Sequence, residues 1–228
     1  MVEMTERRWR LKGPEMEGVV ARWYAGIRSS GKQAEEYRKQ ASRLTAGLSD
    51  GANVLEVAPG PGYLAIEMAR LGRVRVSGLD ISRTFVEIAT ENAARAGASA
   101  AFRNGDAAEM PFEANTFDLV VCQAAFKNFT RPGSALAEMH RVLRTGGTAV
   151  IEDMSSDASH ADIEAEVRKM ELGRVSAFTT KATLEMLRRR AYSPAQFESM
   201  VARSPFKTCV IRTQGIGLEL LLVKRELA

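Results

Sequence analysis

The chain has few of the residues that build covalent or metal cross-links. Of its 228 residues, 2 are cysteine and 2 are histidine. Cys122 and Cys209 lie far apart, each in an apolar stretch, which argues against a disulfide framework or a cysteine-rich zinc site. No set of His, Asp or Glu has the spacing of metal ligands either, so we expect two buried thiols and no metal.

Long apolar runs are also missing. The longest are strand-length pieces such as residues 119–122, far short of the roughly 20 residues that a membrane-spanning helix needs. The first residues are rich in charge between Glu3 and Arg10 and lack the order of basic, apolar and small residues that marks a secretory signal. We therefore expect a cytoplasmic protein without a membrane span.

The remaining composition is that of an ordinary globular protein. Hydrophobic residues make up 45% and charged residues 26%, which predicts one large domain or one domain with a small appendage. The net charge is +4, but the basic run at residues 188–190 lacks the interleaved aromatics of a platform for single-stranded nucleic acid. We expect no nucleic-acid partner, and a homodimer from the general frequency of oligomers.

Hydrophobic spacing divides the chain. Apolar residues recur at helical spacing in residues 19–27 and 37–48, which predicts a helical cap over residues 1–50. Strand-length apolar runs then alternate with helical patterns, which predicts an α/β domain with a doubly wound parallel sheet covered on both faces. The predicted strands are residues 53–57, 74–79, 100–103, 117–122 and 148–152, and the predicted helices are residues 62–71, 82–96 (with Ser82 as N-cap) and 134–143.

The last third of the chain departs from this alternation. Residues 155–205 are predicted as a helical lid, with helices at 162–172 and 181–191. Two apolar runs at 207–212 and 218–224 flank a turn at 213–217, which indicates an antiparallel hairpin at the edge of the sheet. We assign residues 51–228 to one domain that includes this lid and a terminal hairpin at 206–228.

A tight turn after the first predicted strand marks a ligand site, because doubly wound sheets bind ligands outside the carboxyl ends of their strands. The pattern Gly60-x-Gly62-x-x-Ala65, with Asp80 following Gly62 by 18 residues, fits a dinucleotide fingerprint. However, Pro59 and Pro61 have no N–H to offer a pyrophosphate.

Glu56 would also place a carboxylate beside such a dianionic group. These features suit a cationic ligand without phosphate, and S-adenosylmethionine, with its ammonium, sulfonium and ribose diol, is such a ligand. A nicotinamide dinucleotide stays open as the alternative.

Five motifs in order make residues 50–154 similar to the class I S-adenosylmethionine-dependent methyltransferases, in particular the small-molecule, ubiquinone-biosynthesis-like group (methyltransferase type 11). The resemblance implies a Rossmann-like, seven-stranded, mostly parallel sheet whose C-terminal hairpin supplies the sixth and seventh strands. The motifs are residues 54–62, 78–82, 105–112, 117–122 and 138–147.

The resemblance also implies a set of cofactor-binding residues. Tyr24 would cover the cofactor from an N-terminal helix, and Gln123 would contact its methionine end. The other implied roles are Glu56 beneath the methionine moiety, Ala58 and Gly60 at the floor of the turn, Asp80 on the ribose hydroxyls, Ile81 against the adenine, Asp106 as acceptor for the adenine amino group, and Ala107 as its backbone partner.

Two departures from the family pattern stand out. Ala58 replaces a frequent glycine, and residues 126–129 replace a histidine pair found in many relatives. The Asn-Pro-Pro-aromatic signature of methyltransferases that act on nucleic-acid bases or protein glutamine is absent, which argues against those substrates.

The resemblance implies methyl transfer from S-adenosylmethionine to a small-molecule acceptor by in-line displacement, in which the enzyme mainly positions the nucleophile in a dry pocket. The candidate catalytic residues are Lys127, which would pair with an acidic group or assist deprotonation, Asn128 beside it, and His160 in the lid as a base. Glu152 and Asp153 are further candidates at the end of the fifth strand. The alternatives are non-methylating chemistry or cofactor binding alone on the same fold, and a nicotinamide-dependent oxidoreductase.

Overall fold

A computed structural model describes residues 17–27 and 31–226. Its strands are β1 (Asn53–Val57), β2 (Arg75–Asp80), β3 (Ala100–Asn104), β4 (Phe117–Gln123), β5 (Leu143–Met154), β6 (Val210–Gln214) and β7 (Gly217–Val223). Its helices are α1 (Gly18–Ile27), α2 (Gly31–Thr45), α3 (Tyr63–Arg70), α4 (Arg83–Ala96), α5 (Pro132–Val142), α6 (His160–Lys169), α7 (Arg174–Arg188) and α8 (Pro194–Arg203), with a short 3₁₀ turn at Phe126–Asn128.

The seven strands form one sheet in the order β3-β2-β1-β4-β5-β7-β6. Strands β1 to β5 pair in parallel, whereas β7 pairs antiparallel with both β5 and β6. The predicted doubly wound sheet and its terminal hairpin are therefore confirmed. The strand order reverses between β1 and β4, which opens a crevice at their carboxyl ends.

Apolar side chains fill both faces of the sheet, as expected for buried parallel strands. On one face, Leu55 and Val57 of β1 belong to a core cluster with α5 and α8. On the other face, Val54 packs in a cluster with Ala41 of α2 and Leu64 of α3. The central strands are thus covered by helices on both sides.

The lid contains three helices where two were predicted, and helix caps explain the difference. Ser159 and Asp162 form a capping box that begins α6 two residues earlier than predicted, and Ser193 and Gln196 form another that begins α8. Pro194 then occupies the first turn of α8. Both caps are visible in the sequence, whereas apolar spacing alone did not separate α8.

Helix α1 packs on α4 through small side chains. Val19 and Val20 are 83% and 48% exposed, whereas Ala21 and Ala25 are buried against Phe85 and Ile88 of α4. The alanines allow the two helices to approach closely.

Gly78, in the middle of β2, is needed for a close approach. A Cβ atom at this position would lie 2.5 Å from Cδ1 of Phe102 and 3.1 Å from Cγ of Pro59. The Phe102 ring therefore fills the space that a side chain at residue 78 would occupy, directly beneath the turn that follows β1.

We predict that Gly78→Ala lowers the free energy of unfolding by roughly 1–3 kcal/mol, because the Phe102 ring must move to admit the methyl group. Urea denaturation followed by circular dichroism measures this change. Gly133→Ala is the matched control, since a Cβ there meets no atom within 4 Å. Equal stability of the Gly78 variant and the wild type would contradict the close packing.

Candidate functional site

A cavity of about 850 Å³ lies at the carboxyl ends of the central strands, next to the point where the strand order reverses. One part is bounded by the β1–α3 turn, the end of β2 and residues 105–108. The other part is bounded by residues 123–131 after β4, the end of β5, α7 and the β6–β7 turn. The first part carries the acidic side chains of Glu56, Asp80 and Asp106, and the second combines an apolar part with polar and charged side chains.

The structure brings most of the predicted site residues together around this cavity. Lys127 and Asn128 line it, and so do eight predicted cofactor-binding residues: Glu56, Ala58, Gly60, Asp80, Ile81, Asp106, Ala107 and Gln123. The side chain of Tyr24 lies outside the described residues.

His160 is not brought to the cavity. It begins α6, where its side chain is 73% exposed and pairs with Glu185 of α7. It is not among the residues that line the cavity. The structure thus gives His160 no contact with a reacting group there, because its side chain is exposed to solvent beside α7.

Glu56 is a buried carboxyl group without a cation. It is 3% exposed, the Ala65 amide donates a hydrogen bond to it, and its Oε2 atom has no hydrogen-bond partner. Burial, with a contribution from the charge of Asp80, raises the pKa of Glu56 to about 8. The cavity therefore presents an unsatisfied acidic oxygen that a cationic group would stabilise in its charged form.

Asp80 is a second buried acid, but its carboxylate is held in place. Its Oδ2 accepts a hydrogen bond of 3.0 Å from the Gly60 amide, and its Oδ1 accepts one of 2.9 Å from the Ser82 amide. Burial, together with the charge of Glu17, raises the pKa of Asp80 to about 6. Lone pairs remain on both oxygens for further donors, such as a pair of hydroxyl groups.

The β1–α3 turn uses its amide groups internally. Ala58 N donates to Leu79 O at 2.7 Å, Gly60 N donates to Asp80, and Gly62 N donates to Pro59 O at 3.0 Å. Pro59 and Pro61 have no N–H to donate. The turn therefore offers no free amide from residues 58–62 to a pyrophosphate, which is what a dinucleotide needs here.

Two alanines beside the cavity have a left-handed backbone. Ala58 follows β1 with φ 57° and Ala124 follows β4 with φ 55°. This conformation costs roughly 1–2 kcal/mol for a residue with a Cβ. The replacement of glycine by Ala58 was visible in the sequence. No sequence motif indicated the left-handed backbone of Ala124, whose amide donates a hydrogen bond to Glu152 O on the neighbouring strand.

Asp106 is part of an ion pair that the sequence did not reveal. Its Oδ1 accepts a hydrogen bond of 2.8 Å from the Ala108 amide. Its Oδ2 accepts one of 2.7 Å from Arg131, which precedes α5 and lines the cavity. Arg131 is 25 residues away in the chain, so only the packing of α5 shows the pair.

Helix α2 contributes a side chain to the site. Gln123 Nε2 donates to Gln40 Oε1 at 2.8 Å, and Gln40 in turn donates to Glu152. Arg43 donates to Glu152 and to Glu219 of β7. These contacts tie α2 to the carboxyl ends of β4 and β5, and no sequence motif pointed to Gln40 or Arg43.

Lys127 occupies an internal ion pair. Its Nζ lies 2.7 Å from Asp153 Oδ1 and also donates to Ala124 O, while its amide donates to Asp153 Oδ2 at 2.9 Å. The two side chains are 5% and 1% exposed. The ammonium group thus joins the ends of β4 and β5, and it already has a carboxylate partner.

Within the described residues, no helix is long and apolar enough to cross a membrane.

The same residues contain no group of three or more His, Cys, Asp and Glu side chains placed to hold a metal ion. The acidic side chains of the cavity are therefore grouped with amides and cations and do not form a metal cluster.

Comparison with known proteins shows what part of the chain resembles. Residues 55–151 match the family described as "Methyltransferase domain". The demethylmenaquinone methyltransferase of Deinococcus radiodurans is 37% identical over 107 residues, which are 46% of this chain and 44% of that protein. The match thus spans under half the length of this relative.

Two solved structures are also similar. A putative S-adenosylmethionine-dependent methyltransferase from Methanococcus maripaludis aligns with TM-score 0.72 and 19% identity over 97% of this chain and 99% of its own, which shows a common fold. The [4+2]-cyclase SpnF aligns with TM-score 0.52 and 25% identity over 56% of this chain and 48% of its own.

Residues 55–151 are therefore similar to a methyltransferase domain, and the chain has the Rossmann-like fold of a protein described as S-adenosylmethionine-dependent. The donors of the cavity fit S-adenosylmethionine. The unpartnered Glu56 oxygen suits its ammonium, and the fixed Asp80 carboxylate suits its ribose diol.

We predict that Glu56→Gln stabilises the ligand-free protein increasingly as the pH rises from 5 to 8. A raised pKa in the folded state means that Glu56 costs stability between its ordinary value of 4.5 and about 8, by up to about 1.4 kcal/mol per pH unit. The neutral amide avoids this cost.

Urea denaturation at pH 5, 6.5 and 8 tests this expectation. Glu198→Gln, at an exposed position without a side-chain hydrogen bond among the described residues, is the matched control and should show no such trend. A Glu56 variant that tracks the wild type at every pH would mean that the carboxyl group is not buried and unpartnered.

Proposed function

We propose that this chain catalyses the transfer of a methyl group from S-adenosylmethionine to a small-molecule acceptor. The observation that supports this most directly is the unpartnered Oε2 atom of Glu56, beside Asp80, in a cavity whose turn offers no amide to a phosphate. The cofactor supplies a methyl group on a positively charged sulfur, which leaves as a neutral thioether when a nucleophile attacks the methyl carbon.

The residues proposed to hold the cofactor act in different ways. Glu56 binds the ammonium, Asp80 accepts the two ribose hydroxyls, and Asp106 accepts from the adenine amino group while Arg131 orients its carboxylate. Ile81 packs against the adenine and Gln123, fixed by Gln40, contacts the methionine end. The remaining contacts are made by the backbone of Ala58, Gly60 and Ala107, and by Tyr24 as a cover.

The acceptor is proposed to enter the apolar part of the cavity. Phe129, Leu184 and Ile216 line it there and would exclude water from the reacting atoms. Asn128 lines it as well, and its side-chain amide makes no hydrogen bond to any described residue, so it is free to orient a polar acceptor atom. Lys127 stabilises this wall of the cavity through its ion pair with Asp153. If the acceptor is already ionised, the reaction requires no general base, and His160 is not needed in that role.

The similarity to a relative named demethylmenaquinone methyltransferase favours a carbon or oxygen acceptor on a ring, since an apolar wall suits such a ring. We further propose that the protein acts in the cytoplasm. The division into a cap at residues 1–50 and a domain at 51–228 stays a prediction, as does the homodimer.

A second candidate function is non-methylating chemistry on the same fold. The observation that favours it is the similarity to the [4+2]-cyclase SpnF, a protein with this fold whose name describes a ring closure. The two candidates differ in one measurable respect, because only methyl transfer consumes S-adenosylmethionine.

We predict that the wild type binds S-adenosylmethionine in isothermal titration and that Asp80→Asn weakens this binding by about 10- to 100-fold, since hydrogen bonds to a charged group contribute about 1.5–3 kcal/mol. Asp157→Asn, at an exposed position away from the cavity, is the control. Thermal denaturation checks that each variant is folded.

The same protein is then incubated with phenolic and other ring acceptors, and S-adenosylhomocysteine formation is measured by mass spectrometry. Its formation with an acceptor supports methyl transfer. Binding without its formation favours the cyclase-like alternative, and saturable binding of NAD in place of S-adenosylmethionine overturns both.

Cofactor binding should also release a proton from Glu56. At pH 7 its carboxyl group is protonated in the free protein, because its pKa is raised to about 8, and an ammonium group beside it returns the carboxyl to its charged form. Titration at pH 7 in phosphate and in Tris, which differ in ionisation enthalpy, should show release of about one more proton by the wild type than by Glu56→Gln. Identical proton release by the two proteins would contradict this role.

A further inference from the structure

Arg190 is the cation of the cavity wall that has no carboxylate partner. Three basic side chains line the cavity. Lys127 is paired with Asp153 and Arg131 with Asp106. The half-buried Arg190 makes no ion pair or side-chain hydrogen bond with any residue of the described ranges 17–27 and 31–226, so its guanidinium keeps its full capacity for an anion.

The position of Arg190 places it on the acceptor side. It follows the end of α7, and its amide donates to Leu187 O at 3.0 Å, which continues the last turn of the helix. Thr183, Leu187 and Arg190 follow one another at helical spacing and all line the cavity. The acids proposed to bind the cofactor lie instead at the ends of β1 and β2 and after β3.

The side chains around Arg190 indicate the chemistry of the rest of a ligand whose anionic group binds the guanidinium. Leu184 and Leu187 of α7, with Met154 and Ile216, form an apolar wall on this side of the cavity. An apolar wall that carries one unpaired guanidinium is complementary to a molecule with an apolar body and one anionic group. The guanidinium can bind a carboxylate or a sulfonate with two parallel hydrogen bonds.

We propose that Arg190 selects an acceptor that carries an anionic group on an apolar body, with the anion on the guanidinium and the body against α7. This inference rests on the proposed function, because only methyl transfer makes the bound molecule an acceptor. The binding site itself does not depend on methyl transfer. Arg190 is a specificity-determining residue in this role and takes no part in moving the methyl group.

Two fluorescent probes with the same apolar body test the proposal. 8-Anilinonaphthalene-1-sulfonate carries an anion, and N-phenyl-1-naphthylamine lacks it. Each is titrated into the full chain with and without saturating S-adenosylhomocysteine. Arg190→Gln should weaken binding of the sulfonate probe about tenfold and leave binding of the neutral probe within about twofold.

Matched variants separate this effect from a general one. Arg189→Gln, the exposed neighbour that does not line the cavity, should change neither affinity. Arg190→Lys should recover part of the affinity for the sulfonate probe. Thr183→Trp should weaken both probes, because its ring would occupy the cavity.

The proposal is overturned if Arg190→Gln changes both probes equally or neither, if Arg189→Gln has the same effect, or if the sulfonate probe does not bind or is insensitive to Thr183→Trp. Calorimetric titration with S-adenosylhomocysteine reports separately on the cofactor site. Its failure would remove the proposed function while the probe result still decides the anion site.

Discussion

A buried carboxyl group near the end of β1, with one oxygen that has no hydrogen-bond partner, sets the chemistry of this site. Glu56 lies in β1, between β2 and β4, and its side chain is 3% exposed. The protein tolerates this acid in neutral form, and its charged form becomes favourable only when a cation arrives. The selectivity of the cavity for a cationic ligand is thus built into the strand itself.

Apart from Arg190, the other charged groups around the cavity have protein partners, and these contacts also have a structural effect. The amides of Gly60 and Ser82 fix Asp80, while Gly60 lies in the turn after β1 and the side chain of Ser82 caps α4. Lys127 and Asp153 hold the ends of β4 and β5 together. Removal of either side chain would leave the other as an uncompensated buried charge. The geometry of the site and the stability of the strand ends therefore depend on the same contacts.

The sequence predicted the features that depend on neighbouring residues. The turn from β1 into α3, the N-cap at Ser82 and the acids that end β1 and β2 are local, and they were found where expected. Arg131 and Arg190 reach the cavity from the loop before α5 and from the end of α7, and Gln40 of α2 contacts the cavity residue Gln123. Their positions depend on how the helices pack on the sheet. Hydrophobic spacing predicts the buried face of a helix, but it does not predict which polar side chains of that helix lie near the end of a strand. For the same reason His160 could be assigned to the lid but not to its outer surface.

The contact between Gly78 and Phe102 carries an evolutionary consequence. The ring of Phe102 occupies the volume beside Gly78, so the two positions on neighbouring strands share one space. In a set of related sequences the two positions should therefore change together, with a larger residue at position 78 accompanied by a smaller one at position 102. This covarying pair would then indicate the register of β2 relative to β3, even in relatives whose strands have lost all recognisable sequence similarity.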